Sequence, residues 1–240
     1  MEAIKDIPTA RASTMSTFTT MLYEPAATFR GLQEKPQGWL PMLALMATTT
    51  VLMLWYFSVV DFTWLLDQML ASMKTAAERE QAAKVMSKNF LQISSLVSTL
   101  VFYPLFFVIM GTYLMIASKT LSHGLSFGKS FSLAAWAGIP AILLLPLGAL
   151  QILLSSSGQL GFSDLNPVSL NQLVFHYEMA NRFASLADAL SLTSIWSIVL
   201  LVIGFETWAQ VKRSTAILVV LIPHVLVYGA WFAYAASKAA

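Results

Sequence analysis

Five stretches of this chain are long, apolar and almost free of charge, and they constrain it more than any other feature. The first, Trp39 to Val60, has 22 residues and no charged one. As a helix it would be about 33 Å long, enough to cross a hydrocarbon core of about 30 Å. Comparable stretches run over about Ile93–Ser118, Phe131–Leu154, residues 189–210 and Ala216–Ala236. Buried helices of a soluble protein are the alternative, and composition argues against it. Hydrophobic residues make up 57% of the chain and charged ones 11%, whereas soluble domains carry about 25% charged residues. Disorder is excluded as well, because it needs low hydrophobicity and high charge. The expectation is an all-α, polytopic integral membrane protein with five transmembrane helices.

Tryptophan and tyrosine mark several expected interfaces. Trp39 opens the first stretch, with Trp55, Tyr56 and Trp64 toward its far end. Trp208 closes the fourth, and Trp231 and Tyr234 lie near the end of the fifth. An odd number of spans puts the two termini on opposite sides. With the N-terminus inside, the inner loops hold eight of the 14 Lys and Arg residues: Lys5, Arg11, Arg30, Lys35, Lys119, Lys129, Lys212 and Arg213. The outer segments hold six: Lys74, Arg79, Lys84, Lys88, Arg182 and Lys238. The positive-inside rule therefore favours a cytoplasmic N-terminus. No basic stretch followed by a short apolar core and a cleavage site precedes Trp39, so residues 1–38 read as a retained tail. A net charge of +2 and the lack of a basic patch exclude a nucleic-acid partner. No cysteine is present, which excludes disulfides and thiolate sites.

The connecting segments have helical patterns of their own. Phe18, Leu22, Ala26, Phe29 and Leu32 form an apolar stripe. Pro25 interrupts it and suits the first turn of a second helix. This amphipathic N-terminal helix either lies in the membrane interface or packs under the spans. Residues 61–92 carry four acids and four bases, with Glu80 and Lys84 at the favourable i,i+4 spacing. Leu66, Met69, Leu70, Met73 and Ala77 give one apolar face. The segment reads as an extracytoplasmic helical hairpin or a continuation of the first two spans, either merely solvated or a docking surface. In residues 155–188, Ser155-Ser156-Ser157-Gly158 reads as a flexible opening. Asn166-Pro167 reads as a helix start, followed by an apolar stripe from Leu170 to Ala184. Glu178 and Arg182 form another i,i+4 pair. Ser185-x-x-Asp188 resembles a capping box before the fourth span.

Polar residues within the spans are few, and in a membrane they are costly unless paired. Glu206 lies near the end of the fourth span, and His224 lies in the fifth beside Pro223. The short turn between those spans brings the two toward each other as a candidate hydrogen-bonded pair. His176-Tyr177-Glu178 does not make a zinc site, because positions two apart face different sides of a helix. No HExxH, GxSxG, Walker A or dinucleotide fingerprint occurs. Ala134–Gly138 and Gly229–Ala233 are small-xxx-small pairs at which helices can approach closely. An enzyme is not expected, and neither a cofactor nor a metal is.

The order of these pieces resembles the Ypt-interacting-protein (Yip) domain family over roughly residues 22–236. Leu22-Tyr23-Glu24-Pro25-Ala26-Ala27-Thr28-Phe29-Arg30-Gly31-Leu32, followed by Lys35-Pro36, is similar to its Pro-x-x-x-Phe entry segment. The run from Leu121 to Phe131, leading to Ala135-Trp136-Ala137-Gly138-Ile139-Pro140, looks like its glycine-bearing loop and proline-containing third span. Leu186-Ala187-Asp188, Trp196-Ser197-Ile198-Val199-Leu200 and Gly204 resemble the start of the fourth span, and Ala216 and Pro223 match the fifth. The aromatic-rich second span of the family is only partly present, as Phe102-Tyr103-Pro104. The resemblance implies a five-span membrane domain over residues 39–236, a cytoplasmic N-terminus and a non-enzymatic role. Eukaryotic relatives bind Rab-type GTPases, and bacterial relatives include accessory partners of MacB-type ABC exporters. Long cytosolic extensions are absent here, which points to a bacterial inner-membrane member. The expected partners are the lipid bilayer and components of an ABC exporter, with a homo-oligomer left open. A small stand-alone permease or lipid transporter is the other reading. Candidate interaction or helix-packing residues are Pro25, Phe29, Asp188, Trp196, Glu206, Pro223 and His224.

Overall fold

The computed structural model describes residues 14–71, 73, 75–121 and 124–237. Lys5, Arg11, Lys74 and Lys238, named above, lie outside these, as does His123 in the run from Leu121 to Phe131. Among the described residues the helices are α1 (Thr14–Tyr23), α2 (Pro25–Leu32), α3 (Trp39–Val59), α4 (Phe62–Ala71), α5 (Ala76–Val85), α6 (Lys88–Thr120), α7 (Phe127–Ala137), α8 (Leu144–Leu154), α9 (Ala184–Ala189), α10 (Leu192–Ala209) and α11 (Arg213–Ser237). No strand occurs among them, only a single bridge between Ser169 and Ser191. Five units are long and apolar enough to cross a membrane: α3, α6, Phe127–Leu154, α10 and α11. The fold is thus all-α and polytopic, as the apolar runs require. At 33 residues, α6 is about 50 Å long and outruns a hydrocarbon core.

The third span is not one helix. It breaks at Gly138, runs as a 3-10 helix over Ile139–Leu143, and resumes as α8. Pro140 causes the break, since it has no N–H and its ring crowds the preceding turn.

Two cores hold the molecule together. At the near end, where the N-terminal helices lie, Met21, Phe29, Leu133, Trp136, Phe205 and Trp208 are buried together. Pro25 stands at the first turn of α2 as expected. The stripe of α1 and α2 does not lie in the interface. It packs under the spans, with Met21 and Phe29 wholly buried and Phe18 tilted against Trp136 at 5.1 Å. The Trp208 ring meets Phe29 edge-on at 5.9 Å, and its Nε1–H donates to the Phe29 carbonyl at 2.7 Å. Gly204 makes this approach possible. A Cβ there would stand 2.8 Å from Phe29 Cζ and would collide with Leu133 Cδ1.

At the far end, Leu52, Tyr56, Phe57, Leu65, Ile152 and Leu165 form the second core. Tyr56 Oη donates to the Leu160 carbonyl at 2.8 Å. The charged segment 61–92 forms α4, α5 and the first turn of α6. A Thr75–Glu78 capping box opens α5, and the Glu80–Lys84 pair closes at 2.7 Å on its surface. The buried face of α4 is set by Leu65 and Met69 rather than by Leu66, because it turns toward Tyr56 and Phe57.

Residues 155–191 depart most from expectation. Gly158 is no flexible opening. It takes φ +69°, its carbonyl accepts from Asp61 N–H at 2.8 Å, and a Cβ would lie 2.7 Å from the Val59 carbonyl. The expected helix after Asn166-Pro167 does not form. A 3-10 turn at Phe162–Leu165 precedes this segment, and one π turn at Asn171–Phe175 stands in place of the helix. The buried Asn171 side chain takes over the backbone, accepting from Tyr177 N–H at 2.8 Å, and His176 turns left-handed at φ 55°. Such side-chain bonds compete with helix. Arg182 does not pair with Glu178 but lies over the Phe183 ring at 4.8 Å. The capping box before α10 is Ser191 with Ser194, not Ser185 with Asp188.

The near-end lock gives a direct test. Gly204→Val should force Phe29 and Leu133 aside and destabilise the protein by about 1–3 kcal/mol, the usual cost of overpacking. Trp208→Phe keeps an aromatic ring but loses the donor and part of the buried volume, so it should cost at least the ~1–3 kcal/mol of leaving a buried carbonyl unpaired. Thermal unfolding in mild detergent measures both.

Candidate functional site

Between the two cores lies a cavity of about 570 Å³ to which all five spans contribute. That size falls in the range of roughly 300–1,000 Å³ typical of ligand pockets. Its wall is graded. Down α6 the lining passes from Ser95 and Thr99 to Phe102 and Tyr103, then to Phe107 and Met110. Down α10 it passes from Ser191 and Ser194 through Ser197 to Ile198 and Leu201. Both helices enter from the far end, so hydroxyls gather there and apolar side chains gather deeper. Small residues of the third span, Ala134, Ala137, Gly138 and Ala141, keep the deep half open. Thr49 of α3 and Tyr103 of α6 bond across the wall at 2.8 Å.

The polar end is closed by the segment before α10. Asp188 and Asn166 both line it. Ser163 Oγ donates to Asp188 Oδ2 at 2.6 Å, and Asn166 Nδ2 donates to the Asp188 carbonyl at 3.3 Å. Their other oxygens, Asp188 Oδ1 and Asn166 Oδ1, are buried and without a partner. Asp188 therefore does not cap a span. It is fixed by Ser163 and leaves one acceptor unused.

The Glu206–His224 pair expected from sequence does not form. Glu206 Oε2 instead accepts from Arg213 Nε at 3.0 Å, partly exposed at the near end. His224 Nδ1 donates to its own helix, at Val220 O, 2.7 Å away. A carbonyl only accepts, so Nδ1 carries the proton. Depth explains the miss. Glu206 is about 6 Å from the turn at Gln210, while His224 is about 18 Å beyond Lys212 at 1.5 Å per residue. His224 lines the cavity with Tyr228. Trp196 points outward, 37% exposed, and is not part of the cavity wall. Phe29 belongs to the near-end lock, and Pro25 opens the helix that carries it.

Pro223 has a use the sequence did not show. Lacking an N–H, it frees the carbonyl four residues before it, that of Val219. Tyr113 Oη of α6 donates to that carbonyl at 2.7 Å. This bond ties α11 to α6 just below the cavity. The pair Ala134–Gly138 is a packing site, for a Cβ on Gly138 would lie 3.2 Å from Leu45 Cδ1. Gly229 is not, since nothing lies within 4 Å of a Cβ there. Among the described residues no three His, Asp or Glu gather as metal ligands.

Five apolar spans around a graded chamber make this an integral membrane protein of the multi-span helical class. The family model of the Yip1 domain matches residues 19–234, nearly the whole chain. The chain belongs to the Yip1 domain family. No match was found among curated proteins or among solved structures.

The Tyr113–Pro223 arrangement is open to a double-mutant cycle. Tyr113→Phe should cost about 1–3 kcal/mol by orphaning the Val219 carbonyl. In a Pro223→Ala background, that carbonyl regains a helical N–H and the cost should fall to a small fraction. Equal costs in both backgrounds, by denaturant or thermal unfolding, would show that the tyrosine does not serve the proline.

Proposed function

We propose that the chain is a non-enzymatic membrane adaptor or accessory subunit, which binds and stabilises another membrane complex. The resemblance implies a MacB-type ABC exporter as that complex. On this reading the chain resides in a bacterial inner membrane with the near end and N-terminus cytoplasmic.

The observation that carries this reading is the surface formed by α5 and the start of α6. No residue of α5 is buried. Beside its charges, Val85, Phe90 and Ile93 are 56%, 46% and 60% exposed. Val85, Met86, Phe90, Ala82 and Met73 border a hollow between α5, the start of α6 and the connection that precedes α5. Large apolar side chains at the edge of a charged helix are what a partner's buried contact needs. The occupant proposed is the far-side portion of an exporter subunit, which would cover these residues and meet the Glu78, Arg79, Glu80 and Lys84 rim.

The cavity favours a second reading, a small stand-alone permease or lipid transporter. Its deep end is backed by the near-end core, so that reading requires the core to open.

Affinity purification from native membranes in mild detergent tests both. Adaptor function predicts a stoichiometric exporter complex that is lost in Val85→Asp and Phe90→Asp variants whose melting is unchanged. Recovery of the protein alone, or only as a homo-oligomer, overturns it. Transport by the pure protein in liposomes would favour the second reading.

A further inference from the structure

We propose that the cavity is a binding site for a single-chain amphiphile with a cationic, hydrogen-bond-donating head group. The head lies against Asp188 and Asn166, and the chain runs toward Met110 and Leu201. This inference does not rest on the adaptor reading.

Two unused acceptors belong to the residues that line the head-group end. Asp188 Oδ1 and Asn166 Oδ1 are buried and unpartnered. Asn166 cannot be turned to convert its oxygen into a donor, because its Nδ2 already donates to the Asp188 carbonyl. A ligand that satisfies both oxygens must bring donors. Asp188 also has no cationic partner among the described residues. Among the described residues the ion pairs are Glu80–Lys84 and Glu206–Arg213, both elsewhere. No lysine or arginine lines the cavity. A buried, uncompensated carboxylate oxygen is costly, and an ammonium offsets that cost with a charge-assisted bond.

The same facts argue against other lipid chemistries. A phosphate or carboxylate head would face Asp188 with no lysine or arginine to receive it. An uncharged alcohol brings a single O–H, leaves one of the two acceptors unpaired, and gives the carboxylate no opposite charge.

The grading of the walls defines the chain. Serine and threonine give way to aromatic and then aliphatic lining in the same direction on α6 and α10. Ser191 to Leu201 covers about 15 Å, and Ser95 to Met110 about 22 Å. An amphiphile lying along these helices would match polar to polar and apolar to apolar throughout. Entry from the bilayer is available at the α6 wall. Phe102 and Phe106 line the cavity yet are 61% and 41% exposed, stacked 5.9 Å apart. Across from them α11 contributes His224 and Tyr228.

Native mass spectrometry of the purified full chain from a non-ionic detergent tests the proposal, with dodecylamine, dodecanol and dodecanoate as probes. The expected result is one saturable dodecylamine per chain, held about tenfold or more tighter than either other probe. That ratio is the effect of one charge-assisted hydrogen bond. Asp188→Asn should bring the amine to the level of the alcohol. Ala141→Trp, which fills the deep half, should remove binding of all three while the melting midpoint confirms a folded protein. Equal affinity for amine and alcohol in the unmodified chain overturns the proposal, and needs no variant. So does amine binding unchanged by Asp188→Asn, or several unsaturable adducts, which would mark ordinary partition and a cavity filled by water only. Failure of the pull-down above would leave these outcomes untouched.

Discussion

Inside a bilayer no water is available to a backbone group that has lost its partner, and each such group costs several kcal/mol. In α11 that condition is broken and then met from another helix. Pro223 sits inside α11 and deprives the Val219 carbonyl of its donor. Tyr113 supplies the donor from α6. Helices in lipid have little hydrophobic reason to associate, so a polar tie of this kind decides where they meet. Otherwise α11 packs along α10 and touches α9. Above the tie the two helices need not be filled against each other. The cavity occupies that space, with His224 and Tyr228 on one side and Phe102 and Phe106 on the other.

The two cores keep the cavity from collapsing, and they do so by different chemistry. The near-end core is a ring-on-ring assembly with one indole donor and one glycine, which fixes α2 beneath α10. The far-end core is smaller and relies on irregular backbone. There Tyr56 reaches Leu160, Asp61 reaches Gly158, and Leu170 N–H reaches the Leu190 carbonyl at 2.6 Å. A closed bundle between them would need large side chains on the third span. That wall is Ala134, Ala137, Gly138 and Ala141, and Pro140 has bent it into a 3-10 helix. The empty volume is thus written into residue size and a proline.

The spans were legible because length and missing charge carry that information without any tertiary knowledge. Pro25 and the Glu80–Lys84 pair were legible for a similar reason, being local rules of helix geometry. The segment after Asn166 was not. Its apolar stripe is real, but Asn171 captures the Tyr177 backbone and ends the turn, a competition that periodicity does not register. Glu206 and His224 do not meet because a short turn does not make two helices mirror images, and four residues on one side against twelve on the other do not reach the same depth. Tyr113 had no signal of its own, since nothing in the sequence says which helix answers a proline. The hydroxyl runs at the starts of α6 and α10 were a usable sign, for Ser95, Ser98 and Thr99 match Ser191, Thr193, Ser194 and Ser197 in kind and direction. Reading them together required knowing that α6 and α10 enter from the same end.

One helix joins the two features to which function is assigned. The first turn of α6 presents Phe90 at the exposed surface, and its middle presents Tyr103 and Phe107 to the cavity. The helix runs unbroken from Lys88 to Thr120 despite Pro104. A molecule in the cavity would touch α6 on the face between its contact with α3, at Thr49, and its tie to α11, at Val219. A partner on Phe90 would bear on the same rod. Only a tilt of α6 that both ligands bias would couple the two sites, and linkage would then make the effect equal in both directions. In the adaptor reading the cavity need not be a passage for anything. Its position suits it to report an amphiphile in the bilayer to whatever is bound at the far end of α6.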